Sequence, residues 1–236
     1  MKTFTLAVGN TKWRYLSTSI KYLNNMKDAQ HLYIDKFSTE QDPVLDWLER
    51  QTNLRTNHSR MLCGAVVGKL LEFISGMIAP KTILELGAFT GYSSICLARG
   101  LKEGGHLHSI EINDELEDLI LEAHQKAGLQ DKITLHIGDA KEVISTLNQE
   151  FDLVFIDANK REYCQYYDLV FDYVKPGGYI LADNVLWDGK VFSSPLPQDA
   201  QTQGIYKFNE MVKKDPRVEN VIIPLRDGLN LIRKRL

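Results

Sequence analysis

From Thr82 to Ala182 short apolar runs alternate with segments whose hydrophobic residues recur at helical spacing, and this alternation constrains the fold more than any other feature. Thr82–Leu86, His106–Ile112, Lys132–Ile137, Asp152–Ile156 and Tyr179–Ala182 read as strands. Between them Tyr92–Leu101, Asp114–Ala127, Ala140–Leu147 and Arg161–Val174 read as helices, with turns at Gly104-Gly105 and Lys175–Gly178. Strand–helix units with short connections require parallel strands, since each helix carries the chain back to the starting edge of the sheet. Val218–Ile223 and Leu229–Arg233, separated by Arg226-Asp227-Gly228, predict a closing hairpin and therefore one antiparallel strand. The expected fold is α/β, a doubly wound and mostly parallel sheet with helices on both faces.

Upstream, Asp42-Pro43 is a good helix entry, with Val44, Trp47 and Leu48 on one face. A second helix is expected from Ser59 to Ile78, with Leu62, Val66, Leu70, Phe73 and Met77 as its apolar stripe, and Pro80 stops it. After an irregular stretch through Pro197 another helix covers Gly204–Lys214. Residues 1–40 show no periodicity. They read as an arm or lid packed on the body or on a second subunit, and Met26 is an alternative natural start. The body is a single domain, residues 41–236, which suits the 236-residue length.

A formal net charge of −3 gives no general attraction to nucleic acid or anionic lipid. Three cysteines, Cys63, Cys96 and Cys164, are an odd and scattered set that argues against a disulfide framework. The first ten residues lack a signal-peptide core, and no apolar run approaches the roughly 18 residues of a membrane span. The expectation is a cytoplasmic protein.

The turn after the first strand, Gly87-Ala88-Phe89-Thr90-Gly91, opens a helix whose free amides can meet a ligand. Its Gly-x-x-x-Gly spacing lacks the pyrophosphate fingerprint of dinucleotide enzymes. Glu85 just before it suits a ligand with a cationic part and no phosphate, a description met by S-adenosylmethionine. Glu111, at the end of the next strand, is placed to accept ribose hydroxyls, and Gly138-Asp139-Ala140 to border an adenine.

Asp157 follows one apolar strand, and Asp183-Asn184 follows the next, so the topology brings the three together at the carboxyl edge. Two carboxylates and an amide oxygen are a hard set suited to Mg²⁺, with Mn²⁺ and Ca²⁺ as alternatives. The six histidines are dispersed and read as structural or solvated. Lys160 lies beside this set; a nearby divalent cation favours a lysine's neutral form, which makes it a candidate general base. Trp187 reads equally as a wall for a flat acceptor or as core packing.

Glu85–Ser94, Phe155–Lys160 and Ala182–Val191, in this order, resemble the cation-dependent class I O-methyltransferases typified by caffeoyl-CoA and catechol O-methyltransferases. The likeness spans residues 58–236. It implies a seven-stranded methyltransferase sheet with a reversed last strand, and commonly a homodimer. It implies cofactor contacts at Cys63, Glu85, Gly87, Phe89, Ser93, Glu111 and Ala140, with Asp157 also in the cofactor set. Metal ligation falls to Asp157, Asp183 and Asn184, and catalysis to Lys160 with Asp157. Cys63 stands where plant members often have threonine, and Ala158-Asn159 replaces the His-Trp pair of the animal catechol enzymes. The expected reaction is methyl transfer from S-adenosylmethionine to a hydroxyl of a small aromatic diol. Two alternatives stand beside it: a tRNA 5-hydroxyuridine methyltransferase, using the basic N-terminal residues and Arg233-Lys234-Arg235, and a non-catalytic cofactor-binding scaffold.

Overall fold

A computed structural model describes residues 29–236 apart from 31 and 35. The chain divides at Asp42/Pro43, and most of the segment expected to be an arm lies outside the described residues. The second unit, Pro43–Leu236, begins with α1 (Pro43–Arg55) and α2 (Gly64–Ile78). Then come β1 (Thr82–Leu86), α3 (Tyr92–Arg99), β2 (His106–Glu111), α4 (Glu117–Lys126), β3 (Ile133–Ile137), α5 (Ala140–Leu147) and β4 (Phe151–Ile156). After these follow α6 (Tyr163–Phe171), β5 (Val174–Ala182), α7 (Ala200–Lys214), β6 (Val218–Ile223) and β7 (Leu229–Lys234).

The strands form one seven-stranded sheet in the order β3-β2-β1-β4-β5-β7-β6. Pairings from β3 through β5 are parallel, while β7 runs antiparallel to both neighbours and is the one reversed strand. It is last in sequence but lies inside the sheet, with β6 at the edge. Alternate residues of each central strand enter two cores. Ile83, Leu107, Leu153 and Phe155 pack with the helices on one face; Leu84, Ile110, Val154 and Ile156 pack with those on the other. Burial on both faces is why these strands read as continuous apolar runs.

Several expectations need correction. Ser59–Ile78 is not one helix: a short turn at Ser59–Met61 ends in extended backbone at Leu62, and α2 starts at Gly64. Among the described residues it is the stretch long and apolar enough to cross a membrane, contrary to the reading that none comes close. Its Val67, Leu71 and Ile74 are core residues, whereas Phe73 and Met77 of the expected stripe are exposed. On α1 the buried side is Leu45, Leu48 and Thr52, with Trp47 half-buried under the Lys126 ammonium.

Lys175–Gly178 is no terminal turn but lies within β5. Phe151 pairs with Val174 and Leu153 with Tyr179, so β5 bulges where Gly177, at φ 78°, lets the chain bend and rejoin the sheet. Finally, α7 starts at Ala200, because the Asp199 carboxylate caps it by accepting from the Thr202 amide at 3.0 Å. Gly204 is therefore interior. A Cβ there would overlap the Lys160 carbonyl, so the glycine lets α7 lie directly on the Lys160 turn.

Candidate active site

The amides that leave the strands are stitched to the neighbouring strand ends, which fixes the loops relative to one another. The Gly87 amide donates to the Ile110 carbonyl, Asp157 to Leu86, Asp183 to Ile156 and Gly138 to Glu111, all at 2.9–3.0 Å. Gly87 sits at φ 94°, and a Cβ on it would overlap the Asp157 carbonyl, so only glycine permits this approach. Thr52 of α1 meets Thr90 of the glycine loop through their hydroxyls, 3.0 Å apart, and pins the loop from behind.

These loops surround a cavity of about 650 Å³ at the carboxyl edge, spanning the β1/β4 point where strand order reverses. Of the expected cofactor residues, Cys63, Gly87, Phe89, Glu111, Ala140 and Asp157 line it. The expected ligands Asp183 and Asn184 and the expected base Lys160 line it as well, and so does Trp187. Glu85 and Ser93 are not on its wall. None of the described histidines lines it.

Glu111 is held at the cavity by two amides: Phe89 N–H donates to Oε2 at 2.7 Å and Asn113 N–H to Oε1 at 2.9 Å. Each oxygen keeps a second lone pair, enough to accept a diol. Phe89 itself sits at φ 51°, a conformation the loop imposes at the cavity wall.

Glu85 is fully buried beneath the loop. Its Oε2 accepts from the hydroxyls of Ser94 and of Ser109, the latter at 2.5 Å, while Oε1 finds no partner. Burial lifts its carboxyl from 4.5 to about 7, against the opposing pull of the hydroxyls of Ser109, Ser93 and Ser94. Because the folded value exceeds the unfolded one, Glu85 contributes stability that is whole below about pH 4.5 and lost as pH rises through about 7. Glu85→Gln is therefore expected to raise the ligand-free Tm by a few degrees (~2–8 °C) at pH 8 and to change it little at pH 4. Thermal melts at both pH values check this, and an equal shift at both would show that charge burial is not the cause.

An acidic pair lines the same cavity. Asp183 is buried, and its Oδ1 accepts from the Asn184 amide at 2.7 Å. Burial, then the Asp157 charge, pushes its carboxyl up to about 7. A buried carboxylate that faces the charge of a second, with Asn184 next in sequence at φ 59°, is what a hard divalent cation would relieve. Among the described residues no trio of His, Cys, Asp or Glu offers an alternative centre.

Lys160 is buried, with Nζ 2.5 Å from Asp157 Oδ1 and 2.9 Å from the Tyr163 hydroxyl. Tyr163 in turn donates to the Asp183 carbonyl at 2.9 Å, so one phenol ties the lysine to the second acidic loop. Sequence reasoning missed Tyr163, although its spacing of three from Lys160 places both on one helical face. It also missed Arg226 and Asp227, which line the cavity from a hairpin read only as a turn. Trp187 lines the cavity and also packs against the core on that face, so both readings of it hold in part, and its buried indole N–H has no partner.

A profile of the O-methyltransferase family matches residues 35–235, nearly the whole described chain. The chain belongs to this family. It is 32% identical over 223 residues to caffeoyl-CoA O-methyltransferase of Eucalyptus gunnii, covering 88% of each chain. It superposes with a TM-score of 0.81 on an O-methyltransferase from Bacillus cereus solved in complex with SAH, at 26% identity over 88% of this chain and 97% of that one. O-methyltransferase TomG from Streptomyces achromogenes, solved with SAM, gives a TM-score of 0.80 at 29% identity, covering 87% of this chain and 95% of that one.

Proposed function

We propose that this O-methyltransferase transfers a methyl group from S-adenosylmethionine to one hydroxyl of a catechol-like vicinal diol, with a divalent cation held by Asp157, Asp183 and Asn184. The observation that carries the reading is the junction of two sites in one cavity. The Gly87 loop and Glu111 suit a cationic nucleoside, and the Asp157–Asp183–Lys160 group lines the same cavity. Complexes of the structural relatives with SAM and SAH support the donor.

When bound, the cation would bring both diol oxygens together and make one of them more acidic. In its neutral amine form Lys160 would take up that hydroxyl's proton at Nζ and become the ammonium, held in place by Asp157 and Tyr163. Glu111 anchors the donor's ribose, and the Gly87 turn lets the donor approach the main chain. The chain's largest contribution would be alignment of donor and acceptor by strand ends that hydrogen bonds hold fixed to one another.

Calorimetry is expected to give one S-adenosylmethionine site per chain and negligible NAD binding. Radiolabel transfer from that donor to a small catechol tests the acceptor class. Tight NAD binding without donor binding would overturn the reading.

A further inference from the structure

Arg226, in the β6–β7 hairpin, lies at φ 49°, a conformation that residues other than glycine and asparagine seldom adopt, and it lines the cavity. Its Nη1 donates to the carbonyls of Leu62 and Cys63, where the chain breaks between the Ser59–Met61 turn and α2. Two acceptors on one nitrogen fix the plane of a rigid guanidinium. The remaining edge, Nη2 and Nε, has no protein partner among the described residues. Asp183 and Asp227 feel its charge, yet neither pairs with it. Arg60, on the turn that Arg226 braces, lines the same cavity and is likewise without a partner among the described residues.

We propose that Arg226 reads a carboxylate on the methyl acceptor, with Arg60 adding to the local positive charge, so that the preferred acceptor is an acidic catechol. This rests on the catechol reading above. Bracing the Leu62-Cys63 backbone occupies one nitrogen, and the free edge is a fork whose spacing matches both oxygens of a carboxylate. An aromatic ring or a neutral ester would leave that fork unmatched.

The test compares kcat/KM for 3,4-dihydroxybenzoate and its methyl ester with wild type, Arg226→Gly and Arg226→Lys. Glycine suits the backbone at this position, so the first variant removes the side chain without strain. Wild type is expected to prefer the acid by about 10- to 100-fold, the range for one charge-assisted bond. Arg226→Gly should erase most of that preference, and Arg226→Lys should keep part of it. A wild type without preference overturns the proposal, as does a variant that loses both substrates equally, which is the signature of bracing alone. If wild type methylates neither catechol, the functional reading fails, and binding of benzoate to the S-adenosylmethionine complex decides the inference. Calorimetric binding lost in Arg226→Gly supports it; no binding to wild type overturns it.

Discussion

Lys160→Ala is expected to lower turnover by roughly 10²–10⁴-fold, the usual contribution of a positioned general base. The lysine is buried, bonded to Asp157 and Tyr163, and it lies on the acidic side of the cavity rather than in the glycine loop. Donor affinity measured by calorimetry should therefore hardly change, which separates loss of chemistry from loss of fold. Lys160→Arg should not restore the rate, because a guanidinium stays protonated at working pH. Part of the deficit should return in alkaline buffer, where the acceptor hydroxyl ionises without help. Rate–pH profiles of wild type, alanine and arginine forms at saturating donor check this. Equal turnover in the alanine form would remove Lys160 from the mechanism.

Chelation should abolish methyl transfer, and Mg²⁺ or Mn²⁺ should restore it. Asp183→Ala should lose at least about 100-fold in rate even at high metal, since a cation's charge stabilisation is worth several kcal/mol. The structural motive is burial of Asp183 and, second to it, repulsion by the Asp157 charge, which together lift the Asp183 carboxyl to about 7. A cation that removes this repulsion should bind more weakly as pH falls below that value, because the protonated ligand must first give up its proton. Metal titrations of the donor complex at pH 6 and pH 8 measure the difference. Full activity of Asp183→Ala in the presence of chelator would show that no metal is used there.

The sequence by itself determined the sheet and the places where chemistry collects. Continuous apolar runs such as Leu153–Ile156 must be buried on both faces, and parallel strands then put the residues that follow them on one edge. For that reason Gly87, Glu111, Asp157, Asp183 and Asn184 were legible as one site. Local pattern also fixed α5 at Ala140–Leu147 and β6 at Val218–Ile223.

The missed Asp199 cap of α7 and Tyr163 were local oversights, but elsewhere the deciding contact was distant in sequence. Phe73 and Met77 look like core residues at helical spacing, but whether a stripe faces inward depends on how α2 is rotated against its neighbours. Gly204 looked like a helix start and is a contact surface for Lys160, a partner more than forty residues away. The bulge in β5 exists because Phe151 and Leu153 take partners five residues apart. Glu85 shows the same limit in electrostatic form. Its place before the glycine loop is a matter of sequence, but only packing buries it under Ser94 and Ser109 with one oxygen unsatisfied. Tertiary structure alone joined Arg226 to Leu62 and Cys63, because a side chain's reach across a cavity leaves no periodic trace in the chain.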